Sequence, residues 1–101
     1  MEKFNNRQID EMGRLTLPSE VMVDAKWVKG AKLTVTHIGN IGIIQSEHEI
    51  TDDHQVLVEL DELGKITIPI GLRKKLGLEV RNAVNIYCID NGIVVIKKDN
   101  D

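Results

Sequence analysis

Residues 9–18 read IDEMGRLTLP and residues 60–69 read LDELGKITIP. Five of the ten positions are identical, and the other five exchange one aliphatic or one cation for another. A chain of 101 residues that repeats itself at an offset of 51 has few ways to fold. Each half alone, about 45 residues, lies near the size below which a chain needs disulfides, metals or a partner to be stable. The two halves are therefore expected to share one core in a single domain, residues 1–101, related by a pseudo-two-fold.

The alignment extends beyond the opening motif. Val21 and Ala25 fall on Leu72 and Leu76, and Leu33, Val35 and Ile38 fall on Val84, Ile86 and Ile89. A one-residue slip would then bring GII at 42–44 onto GIV at 92–94. The repeated unit reads as ββαββ, over 6–46 and again over 56–98. It opens with a short strand (7–10, 56–60), turns at Gly13 or Gly64, and continues as a second strand (14–17, 65–68). Glycine suits a hairpin turn that needs a positive φ, and Asp10 or Asp61 can accept backbone N–H bonds there. Alternation puts Leu15, Leu17, Ile66 and Ile68 on one face and Arg14, Thr16, Lys65 and Thr67 on the other. Pro18 and Pro69 suit the start of a short helix. In the second unit that helix spans 70–76, with Leu72 and Leu76 inward and Gly77 as its stop. A second hairpin closes each unit, over 32–38 with 42–46 and 83–89 with 92–97.

Between the units, EHEITDDHQ at 47–55 is a polar, acidic linker. It could extend about 30 Å. His48 and His54 stand there among carboxylates, but their spacing matches no metal-ligand template, so a solvated linker is the reading. His37 aligns with Cys88 on the apolar-facing parity of matching strands, so both read as packing residues. Neither a Gly-rich phosphate loop nor a Ser/His/Asp constellation appears. The chain is expected to be no enzyme and to need no metal or cofactor.

Cys88 is the single cysteine, which excludes an internal disulfide framework and suits a reducing cytoplasm. The first residues, MEKFNNRQID, contain no apolar run of signal-peptide length, and no stretch approaches the roughly 20 apolar residues of a membrane span. Net charge is -3. Residues 1–50 carry six Lys/Arg against seven Asp/Glu, and residues 51–101 carry seven against nine. A phosphate-binding domain ordinarily has a basic surplus, so the placement of the cations has to decide.

That placement is informative. Lys65 lies on the outward strand face, and Arg73, Lys74 and Lys75 follow on the arc left by Leu72 and Leu76. Arg14 holds the place of Lys65 in the first unit, with Arg7 seven residues before it. A two-fold pair of units would bring these clusters to one surface, as a two-fold reader of duplex DNA requires.

The motif Asp-Glu-x-Gly-(Arg/Lys)-aliphatic-Thr-aliphatic-Pro, followed by a short helix and a β-hairpin, resembles the SpoVT/AbrB (AbrB/MazE-like) DNA-binding domain, twice over. The resemblance covers about 7–46 and 56–98. It implies a mainly β fold with short helices, a swapped-hairpin β-barrel that one chain builds as an intramolecular pseudo-dimer. AbrB-like proteins contact DNA through an arginine in the first strand, the cation after the turn glycine and a basic pair on the helix. Here those positions hold Arg7, with Val58 in the second unit; Arg14 and Lys65; and Arg73 with Lys74, followed by Lys75. In the first unit the helix pair is Met22 and Val23. With Trp27 just beyond, Met22 and Val23 form either an exposed patch for self-association or a protein partner or, if the first helix is shifted, part of the buried core.

The resemblance thus implies a prokaryotic, cytoplasmic transcription regulator that binds double-stranded DNA. The alternative is a MazE-like antitoxin or interaction module whose DNA binding is secondary. Such antitoxins carry a long segment that wraps the toxin, whereas KKDND alone follows the last expected strand.

Overall fold

The computed structural model describes residues 3–47, 55–79 and 82–98. Eight strands and two helices follow one another as β1 (Lys3–Gln8), β2 (Arg14–Thr16), α1 (Ser19–Ala25), β3 (Lys32–Ile38), β4 (Ile41–Ser46), β5 (Val56–Glu59), β6 (Lys65–Thr67), α2 (Ile70–Leu76), β7 (Ala83–Ile89) and β8 (Gly92–Lys97). Six strands form one antiparallel sheet in the order β1-β7-β8-β4-β3-β5, and β2 pairs with β6 separately.

The pairing is the same whichever half is read first. Exchanging β1–β4 for β5–β8 reverses the order of the large sheet and leaves it unchanged. The middle pairs of the two ladders that join equivalent strands are Leu15 with Ile66 and Ile43 with Val94. Each of those pairs is 51 residues apart in sequence, so the register of both ladders is unchanged when the halves are exchanged. The outer ladders follow the same exchange. Arg7 faces Val84 and Gln8 faces Ala83 in β1–β7, while Val58 faces Leu33 and Glu59 faces Lys32 in β5–β3.

This register removes the one-residue slip expected after residue 38. Both closing hairpins turn through two residues, Ile38 pairing Ile41 and Ile89 pairing Gly92, so the offset stays at 51. Gly42 then corresponds to Ile93 and Ile41 to Gly92, and the likeness of GII to GIV is local composition only. The expected hairpin between the first two strands is also reduced. Ile9 and Leu15 form an isolated bridge, after which β2 leaves to pair with β6. The first strand begins at Lys3 rather than Arg7.

Each helix starts behind a proline in extended conformation, Pro18 or Pro69, and ends on a left-handed residue, Lys26 (φ 59°) or Gly77 (φ 68°). The following N–H reaches back to the helix: Trp27 donates to the Met22 carbonyl at 2.9 Å and Leu78 to that of Arg73 at 2.8 Å. This double closure satisfies the last carbonyls and turns the chain sharply. Trp27 and Leu78 are thereby carried into the core, each 5% exposed.

One apolar cluster joins everything. Leu15, Leu17, Ile66 and Ile68 from β2 and β6 and their extensions meet Leu33, Val35, Ile44, Val84, Ile86, Ile93 and Val95 of the large sheet, with Val21, Leu72 and Leu76 from the helices. α2 packs on β3, and its Leu76 lies over Gly42. Among the described residues no helix is long and apolar enough to cross a membrane. His48 and His54 lie outside the described residues.

Candidate nucleic-acid interface

The two Asp-Glu-x-Gly turns are built alike. Asp10 Oδ1 accepts the backbone N–H groups of Met12 (2.9 Å) and Arg14 (2.8 Å). Asp61 Oδ1 does the same for Leu63 (2.8 Å) and Lys65 (2.9 Å). Gly13 and Gly64 take φ of 78° and 75° to complete each turn, a conformation that any Cβ would strain. Each turn is then tied to the chain beyond the other, because Leu17 N–H donates to the Gly64 carbonyl and Ile68 N–H to that of Gly13, both at 2.9 Å.

The second carboxylate oxygens face the cations after the glycines. Arg14 Nε bonds Asp10 Oδ2 at 2.9 Å, and Lys65 Nζ reaches the same oxygen at 3.4 Å from the opposite half. Arg14 Nη1 stands 3.9 Å from Asp61 Oδ2. Arg14 and Lys65 are thus held beside one another, each about a quarter exposed at the side chain (26% and 24%). The Arg14 backbone N–H, aided by its guanidinium and the Met12 N–H, pulls the Asp10 carboxyl down from 3.8 to about 2. The Lys65 and Leu63 N–H groups, then the charges of Arg14 and Lys65, lower Asp61 as well. Both aspartates therefore stay ionised near neutrality and offset part of the positive charge they position.

Arg7, Asp10, Met12, Arg14, Thr16 and Lys65 line one depression of about 790 Å³, together with Gln8, Ile9 and Glu11. Arg7 is half-buried, its guanidinium 5.6 Å from the Phe4 ring centroid. Three of the six cations singled out in the sequence thus share one concavity. Arg73, from α2, lies on the adjoining turn. Its Nε donates to the Ile68 carbonyl at 2.9 Å, and its guanidinium lies on Gly13, with Cζ 2.7 Å from where a Cβ would stand. Lys74 and Lys75 are exposed on the same helix.

Arg73 is therefore less free than the helical pattern implied, because it braces the turn of the other half. Met22 occupies the equivalent position, its Cε 3.1 Å from a Cβ built on Gly64. The expected apolar patch needs correction accordingly. Trp27 is core, its indole N–H bonded to Ser46 Oγ at 2.9 Å, and Met22 is partly buried against that core. Val23 alone of the three stands in solvent, 75% exposed. The Asp10 and Asp61 contacts across the halves were not anticipated. The Asp-Glu-x-Gly spacing signals the backbone turn, but nothing in it reveals a carboxylate shared by Arg14 and Lys65.

The chemistry of this face is that of a wet, charged surface. It presents fixed guanidinium and ammonium groups beside the exposed hydroxyl-bearing residues Thr16 and Thr67. Guanidinium, ammonium and hydroxyl donors can contact phosphate oxygens, and the guanidinium can also address base edges.

No family model matches the chain. Over 43 residues, 43% of this chain, it is 40% identical to the transition state regulatory protein AbrB of Bacillus subtilis (strain 168). That match supports an AbrB-like family. It spans 44% of that protein's length. The solution structure of PHS018 from Pyrococcus horikoshii aligns over the full length of both chains with a TM-score of 0.52 and 19% identity, a likeness of fold. The mainly β architecture, with two short helices on antiparallel sheet, is compatible with an AbrB-like fold.

Proposed function

We propose that the chain is an AbrB-like, DNA-binding transcription regulator that acts in the cytoplasm. In this reading residues 6–46 and 56–98 are two AbrB-like repeats joined through 47–55. One chain supplies both halves of a swapped-hairpin pseudo-dimer, and duplex DNA lies across the face carrying Arg7, Arg14, Lys65, Arg73, Lys74 and Lys75.

The observation that carries the proposal is the convergence of Arg7, Arg14 and Lys65 on one depression, with Arg73 on the adjoining turn. Arg7 and Arg14 come from the first half and Lys65 and Arg73 from the second, whereas a merely solvated set of cations has no reason to converge across the halves. The exchange of strands between halves, β1 onto β7 and β5 onto β3, supports the interleaved arrangement. The similarity to AbrB supports regulation as the purpose.

The test is a salt-dependent titration of the intact chain against duplex DNA. With five cations on phosphates, the logarithm of the binding constant falls with log salt at a slope of about -4 to -5, from roughly -0.9 per neutralised phosphate. Arg73→Ala with Lys74→Ala makes the slope shallower by about 2. Arg7→Ala with Arg14→Ala weakens binding too. Equal binding by wild type and both double variants would remove this face from consideration and favour the interaction-module reading.

A further inference from the structure

We infer that the chain docks on DNA in one orientation only, reading a site that lacks inverted-repeat symmetry; this rests on the DNA-binding reading above. The framework is two-fold in its register, but the charges on it are not. Adding 51 carries Met22, Val23 and Asp24 onto Arg73, Lys74 and Lys75, and Arg7 onto Val58. In sequence these look like complementary losses, one basic element missing from each half. In space they add up at one end. Because each helix leans on the turn of the other half, Arg73 rests on Gly13, and Arg7 lines the depression beside Asp10 and Met12 of that same turn. The 10–14 turn is therefore flanked by two arginines.

The 61–65 turn has neither. Met22 rests on Gly64, Val58 holds the place of Arg7 and packs against the core, Lys29 stands 3.7 Å from Glu62, and Lys65 and Arg14, the latter 3.9 Å from Asp61, lie between the two turns and serve both. A duplex crossing both turns meets guanidinium groups able to contact phosphates and guanine edges at one end. At the other, the places of those two arginines hold a thioether and an aliphatic side chain, Met22 and Val58, which have no purchase on phosphate. Interchanging the two ends on a given site then exchanges unlike contacts, so the preferred site is itself directional.

The experiment is selection of sites from a pool of random-sequence duplexes by the intact wild-type chain, followed by hydroxyl-radical footprinting on the recovered sequence. The expected motif has no internal inverted repeat, and Arg73→Met removes protection at one edge of the footprint only. Met22→Arg with Val23→Lys moves the selected motif toward an inverted repeat and steepens the salt slope by about 2. A wild-type inverted-repeat motif, retention without any motif, or loss of protection at both edges in Arg73→Met overturns the directional inference while leaving DNA binding in place. Failure to retain any duplex overturns DNA binding itself, and the inference with it.

Discussion

Gly92 meets the Ile44 carbonyl so closely that a Cβ at this position would collide with that oxygen and stand 3.0 Å from Gln45 Cα. The obstacle is backbone of the central β4–β8 ladder, which cannot swing aside as a side chain can. Gly92→Ala is expected to destabilise the protein by about 1–3 kcal/mol, the usual range for overpacking. For a domain of this size each kcal/mol corresponds to roughly 4–8 °C in Tm. Gly42→Ala is the control, since a Cβ there meets a side-chain methyl of Leu76 at 3.1 Å rather than backbone and should be tolerated better. Thermal melts of the two variants side by side check the ranking.

Asp10 gives the fold an acid limb. Its carboxyl is drawn to about 2 in the folded chain, against about 3.9 in an unfolded one. A depressed folded pKa contributes stability that is present above about pH 4 and lost as pH falls toward 2. Asp61, lowered for the same reason, acts in the same direction. Asp10→Asn is expected to lower Tm near neutrality and to flatten its fall between about pH 4 and pH 2. Melting curves of wild type and variant across that window test this, and parallel curves would refute it.

Arg73 can be stripped of charge without being stripped of shape. Met22 already shows that a methionine fits over the equivalent glycine turn. Arg73→Met should therefore keep Tm within a few degrees while weakening DNA binding, whereas Arg73→Ala removes the packing as well. Paired measurement of Tm and DNA affinity separates the two effects.

Lys26 closes α1 in a left-handed conformation, φ 59°, where α2 uses Gly77. A side chain in that region is strained by roughly 1–2 kcal/mol relative to glycine, partly offset by the greater freedom of glycine in the unfolded chain. Lys26→Gly is expected to stabilise by about 0.5–1 kcal/mol. Urea unfolding with an unchanged m-value would establish it.

Much of the local structure was legible in the sequence. The limits of α2, both strands of the β7–β8 hairpin and the inward parity of Leu15, Leu17, Ile66 and Ile68 all follow from periodicity and from Pro and Gly signals. These are short-range rules, and here short-range geometry obeys them. What was not legible is what one half does to the other. That β1 pairs with β7, that Lys65 reaches Asp10 and that Arg73 covers Gly13 depend on contacts more than 50 residues apart. The fate of Trp27 was hidden for a different reason. It follows the helix rather than lying on its apolar stripe, and only the left-handed turn at Lys26 sends it inward. Of the candidate site, the cations could be picked out by residue type and spacing, but their convergence at one end could not.

The pairing of β1 with a strand so distant in sequence also sets a timetable. On the ribosome β1 emerges well before its partner β7, with Arg7 waiting for Val84. Sheets closed by such distant partners form slowly, because the intervening chain must be ordered before the contacts repay it. Until then β1 carries an unpaired hydrogen-bonding edge, a template for the wrong neighbour. Newly made copies crowded on one message would face a choice between closing on themselves and closing on each other, and the speed at which the last hairpin arrives decides between them.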